Sequence, residues 1–95
     1  MYTHEDKLNW IKDYMKTVQN HVDILNREFS DAYIAKFNPP HLIQPFGANT
    51  CPELGKMLAL GFKNGMFIRN SVGIQAGYWG MPKWVYVYHL KEDSN

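Results

Sequence analysis

The amino-acid sequence predicts an α+β domain with its helices first and its strands last. Three observations carry that prediction. The first 38 residues contain neither glycine nor proline, and their apolar positions recur at helical spacing. Residues 50–64 hold a leucine-spaced run between a helix start signal and an Asn-Gly stop. The final third contains two runs rich in β-branched and aromatic residues, Met66 to Ile74 and Trp84 to Leu90.

A chain of 95 residues, 45% hydrophobic and 15% aromatic, makes one domain with a modest core, and disorder is not expected for most of it. That domain is expected over residues 1–91, with 92–95 as a disordered tail. Cys51 is the single cysteine, so no internal disulfide can form. No apolar stretch approaches the roughly 20 residues of a membrane span, and Met1 to Lys12 carries charges where a signal peptide is apolar. A cytoplasmic protein without a membrane partner is the expectation.

In the first segment Leu8, Ile11, Met15, Val18, Val22, Leu25, Phe29 and Ala32 alternate steps of three and four, a helical seam. Thr3 and Asp6 have the spacing of a helix start, although a capping box prefers Glu or Gln at the second position. One long coiled-coil helix or two helices broken near Asn20 to Asp23 both fit. The break is favoured, because Asn20, His21 and Val22 weaken helix and Asp23 can cap a second one. Helix 1 then covers about residues 4–18 and helix 2 about 24–37. Trp10, Tyr14, Ile24, Tyr33 and Ile34 widen the apolar face beyond a zipper seam. That stripe is longer than so small a domain needs for itself, which predicts a homodimer through residues 4–37.

Asn38-Pro39-Pro40 ends the second helix, since a residue before proline avoids the α region. His41 to Phe46 reads as a short strand or an abbreviated helix, and Gly47 as a turn. Thr50 and Glu53 stand at capping-box spacing with Pro52 in the first turn, and Gly65 follows the end of the helix. At roughly 100° per residue, Leu54, Leu58, Gly61 and Phe62 fall on one side and Lys56, Ala59 and Lys63 on the other. A core face and a basic face share one helix. The strands Met66 to Ile74 and Trp84 to Leu90 then form a hairpin with a long tip, which carries glycines at 73, 77 and 80.

The net charge of +1 is unevenly distributed. Residues 1–31 carry four cations against six acids, a balance of −2, whereas residues 32–91 carry six cations against Glu53 alone, a balance of +5. Such segregation is the footprint of a domain with one side toward a polyanion.

The stretch CPELGKMLALGFKNGMFIR followed by GMPKWVYVYHL resembles the winged-helix DNA-binding domains, and is similar to the small helix-turn-helix proteins of phages and prophages. The resemblance covers roughly residues 42–90. It implies a recognition helix over residues 50–64 that enters the major groove, and a wing over 66–90 that touches the backbone or the minor groove. Where that family has a further helix, this chain has three prolines and Gly47.

The residues themselves carry a matching logic for double-stranded DNA. Lys56 and Lys63 lie two turns apart on one face and can reach phosphates, while Asn49, Thr50 and Glu53 approach base edges. Glu53 can accept from cytosine N4 or complete the helix cap, and the cap is the stronger reading. Arg69 and Lys83 can clamp phosphates or keep the sheet soluble. Gln75 lies in the wing with Tyr78 and Trp79, which can stack on the nucleic acid or cover the core. Cys51 is expected to be a structural residue.

Enzymatic readings find no support. His4, His21, His41 and His89 are scattered without ligand spacing, and no phosphate loop, G-x-S-x-G or paired-carboxylate arrangement is present. Neither a cofactor nor a metal is expected. The competing expectation is an interaction module that binds and inhibits a host protein.

Overall fold

In the computed structural model, which describes residues 1–45, 49–74 and 83–91, the order of elements is α1 (His4–Thr17), β1 (His21–Val22), α2 (Arg27–Phe37), α3 (Pro52–Lys63), β2 (Phe67–Gly73) and β3 (Trp84–Leu90). The α+β class follows directly from that order. No helix among the described residues is long and apolar enough to cross a membrane.

α1 opens on a complete capping box: the Asp6 amide donates to Thr3 Oγ1 at 3.1 Å, and the Thr3 amide donates to Asp6 Oδ2 at 2.9 Å. Aspartate therefore serves where glutamate is the commoner residue. The helix stops at Thr17 and the chain breaks where the sequence predicted a break. The second helix starts later than predicted, at Arg27 instead of residue 24. Asn26 is its cap, accepting from the Phe29 amide at 3.1 Å, and Asp23 instead accepts from the Leu25 amide in a tight turn. The interval is occupied by β1, whose two residues pair antiparallel with β3, His21 opposite His89 and Val22 opposite Tyr88. α2 ends at Asn38, which adopts the left-handed conformation at φ 48° before the two prolines. Asparagine tolerates that region better than other non-glycine residues.

Residues 41–45 form neither of the predicted elements. Leu42 makes an isolated bridge with Thr50, the amide of each donating to the carbonyl of the other. The predicted capping box at α3 is also absent. Cys51 is the cap residue and its side chain makes no capping bond, so Pro52, which has no amide to satisfy, opens the helix. At the other end Gly65, at φ 80°, turns the chain so that the Met66 amide returns to the Gly61 carbonyl at 2.8 Å.

The sheet has the order β1-β3-β2, with β3 central and both pairings antiparallel. β3 has the predicted bounds and β2 is one residue shorter at each end than its predicted strand. The tip between them falls mostly outside the described residues, as do Gly47 and the tail 92–95.

The core gathers Leu8, Ile11, Met15, Val22, Phe29, Tyr33, Leu54, Met57, Leu58, Phe67 and Tyr88. Burying side chains of this kind contributes about 1.5 to 3 kcal/mol each for the larger aliphatic and aromatic ones. Trp10 packs at the edge of this core against Tyr14, Phe29, Tyr33 and Phe37, so the aromatic rings join α1 to α2. The stripe offered as a dimer seam is thus largely spent inside the domain; of its members Val18, 54% exposed, and Ile24, 43% exposed, are open to solvent.

Candidate nucleic-acid interface

The sequence of α3 sorts its residues by depth. Leu54, Met57, Leu58 and Gly61 are buried, which turns Pro52, Lys56, Ala59 and Lys63 to solvent. Lys56 and Lys63 are two turns apart, about 10 Å along the axis. Neither belongs to an ion pair among the described residues. Phe62 departs from its predicted place in the core. It is 39% exposed, and Met57 takes the buried position instead.

The ring of Phe62 has another task, with Arg69 on β2. The Arg69 guanidinium carbon lies 3.9 Å from the Phe62 ring centroid and 4.0 Å from that of Tyr86 on β3, so the cation is sandwiched between two rings. Its Nη1 is 3.5 Å from the Tyr88 hydroxyl. These contacts bind the C-terminal turn of α3 to the hairpin and hold the guanidinium in one place.

Glu53, unlike the two lysines, is engaged by partners on the other two helices. Lys7 Nζ donates to its Oε1 at 2.8 Å and the Tyr33 hydroxyl donates to its Oε2 at 2.6 Å, joining α1, α2 and α3 through one carboxylate. Burial alone would push this carboxyl up. The hydrogen bonds from Lys7 and Tyr33, with the nearby positive charge, outweigh it and hold Glu53 below the usual carboxylate range. Burial, reinforced by the hydrogen bond to Glu53, pushes the Tyr33 phenol far up. Burial likewise raises the Cys51 thiol, opposite in direction to an activated cysteine at a helix start.

Asn49 and Thr50 belong to the segment leading into α3. The Asn49 side chain donates to Asp31 Oδ1 at 2.8 Å and accepts from the Gln44 amide at 2.9 Å, while Thr50 Oγ1 accepts from Gln44 Nε2 at 2.9 Å. Both side chains are engaged within the protein. Lys83 is exposed at the foot of β3, and its carbonyl accepts from the Ile74 amide at 2.8 Å. Gln75, Tyr78 and Trp79 lie outside the described residues.

The fold therefore presents Lys56 and Lys63 on one solvent-facing helix face, with Arg69 fixed behind its C-terminal end, and separates Glu53, Asn49 and Thr50 from them by engaging their polar groups elsewhere. Phe62, Tyr86 and Lys7 are the participants that sequence reasoning missed. Lys7 and Glu53 are 46 positions apart, so no local spacing could reveal the pair. Comparison of the chain with protein-family models, with curated proteins and with solved structures gives no match.

Proposed function

We propose that the chain is a winged-helix domain that binds double-stranded DNA, with α3 presented to the major groove and the β2–β3 hairpin acting as the wing. A transcriptional regulator of the small phage type is the role that such a domain fits. The observation that carries the reading is the solvent-facing pair Lys56 and Lys63, together with the engagement of Glu53 by Lys7 and Tyr33. Glu53 is the one acid of residues 32–91, and its charge is matched by Lys7. The outward face of α3 is consequently left basic. The order of elements supports the same reading, since three helices precede a hairpin that packs on the last of them.

Two or three phosphate contacts give a salt slope of about −1.8 to −2.7, so raising salt from about 50 to about 200 mM should weaken binding by roughly 10- to 40-fold. Fluorescence anisotropy with a labelled random-sequence duplex at those two concentrations tests this. Absence of binding at the lower salt defeats the proposal.

A second reading, a module that binds and inhibits a host protein, is favoured by Leu42 and Ile43. They are 66% and 78% exposed on the segment between α2 and α3, and adjacent aliphatic side chains this open suit a protein partner.

A further inference from the structure

Among the described residues the sheet has one long unpaired margin. In the order β1-β3-β2 the strand β2 is an edge, seven residues long, paired to β3 in an unbroken register from Phe67 to Gly73. The other edge, β1, is only two residues. Proteins blunt long edges with lysine, proline or a bulge. Phe-Ile-Arg-Asn-Ser-Val-Gly contains none of these, and the charge of its one cation is drawn onto Phe62 and Tyr86 on the inner side of the sheet.

The direction of the free backbone groups follows from the ladder. The Ile74 amide donates to the Lys83 carbonyl and the Lys91 amide to the Met66 carbonyl. Bonded and non-bonded pairs alternate in an antiparallel ladder, so even-numbered residues of β2 turn their amides and carbonyls toward β3. Phe67, Arg69, Ser71 and Gly73 turn theirs outward. On the outer face of the sheet the same strand shows Ile68, 46% exposed, Asn70, and Val72, 45% exposed.

We propose that β2 pairs antiparallel with β2 of a second copy of this chain about a twofold axis through Asn70, making one continuous six-stranded sheet. The strand is self-complementary in that register. Ile68 faces Val72 of the second copy and Val72 faces its Ile68, burying the two exposed aliphatic pairs side by side. Asn70 meets its own counterpart and can exchange side-chain amide hydrogen bonds. Arg69 lies opposite Ser71, and Phe67 opposite Gly73. Both are pairs of outward-facing residues, so each exchanges two backbone hydrogen bonds. A shift to an axis through Arg69 would set like charges directly opposite and shorten the overlap, which disfavours that register. The axis stands perpendicular to the sheet and places both α3 helices on the same side of it.

Sedimentation equilibrium of the full chain over a concentration series, with Asn70→Lys, Asn70→Asp and an equimolar mixture of the two, tests the proposal. Wild type is expected at twice the chain mass. Each charged variant is expected at the single-chain mass with an unchanged circular dichroism spectrum. The mixture is expected to regain the doubled mass, because the two opposite charges meet on the axis. Should a charged variant fail to fold, Ser71→Pro replaces it: position 71 gives no amide to β3, so proline removes an intermolecular bond and leaves the ladder intact. Wild type at the single-chain mass at hundreds of micromolar overturns the proposal. So do variants that remain doubled, which would place the interface elsewhere on the surface.

Discussion

The ring of Phe67 occupies the space that a side chain on Gly61 would need. A Cβ built on Gly61 overlaps the edge of that ring, and Phe67 is itself only 1% exposed. The glycine is what lets α3 lie flat against β2. Gly61→Ala, ordinarily favourable in a helix, is expected to destabilise the protein by about 1 to 3 kcal/mol through overpacking. Urea denaturation measures it, and a stabilised variant would contradict the close approach.

Glu53 ties three helices together, and its bond with Tyr33 supplies a prediction from either side. Tyr33→Phe removes one hydrogen bond to a carboxylate and should cost about 1 to 3 kcal/mol. The acid dependence follows from the sign of the shift. A carboxyl held low in the folded state contributes stability that is present above its unfolded value, about 4.3 for glutamate, and is lost as pH falls through the folded value. Glu53→Gln should remove that part of the decline below about pH 4.3. Parallel acid-unfolding curves for wild type and Glu53→Gln would show that the carboxylate is not held as described.

Lys56 and Lys63 point away from the core, whereas Leu58 is completely buried. Lys56→Glu and Lys63→Glu are each expected to lower affinity for duplex DNA several-fold while leaving the thermal midpoint nearly unchanged. Leu58→Ala should instead destabilise by about 2 to 5 kcal/mol. Loss of stability in the lysine variants would contradict the outward placement, and undiminished affinity would remove α3 from the binding surface.

The Arg69 sandwich can be measured as a coupling. A double-mutant cycle of Arg69→Met and Phe62→Leu, read by chemical denaturation, should give an interaction energy of about 0.5 to 2 kcal/mol. A coupling of zero would mean that the stacked geometry does not persist in solution.

Legibility in the sequence followed the range of the forces involved. The α1 helix, the break after it and the β3 strand were all readable, because apolar spacing, helix-weakening residues and β-branched runs act over a few positions. The partial misreading of α3 has the same origin. Thr50 and Glu53 have capping spacing, yet Glu53 finds stronger partners in Lys7 and Tyr33, which are distant in the chain and adjacent in space. Phe62 sits on the predicted apolar side, but the core at that level is filled by Phe67 against Gly61, and the displaced ring meets Arg69 instead. β1 was invisible as a strand because two residues carry no periodicity. Of the predicted contact residues, Lys56 and Lys63 kept a free face because solvent, unlike a neighbouring helix, makes no demand on shape.

Val22 and Tyr88 pair across about two thirds of the sequence, and that single stitch sets a condition on synthesis. Until the ribosome has passed Leu90, the central strand is missing and Val22 has nothing to pair with, although α1 and α2 are already made. Folding from the N-terminus can gather the aromatic rings around Trp10 but cannot close the sheet, so protection should arrive late and all at once. Nascent chains arrested before Trp84 are accordingly expected to remain open to protease along their whole length, and early protection of residues 4–37 in such chains would show that the two helices fold independently of the last strand.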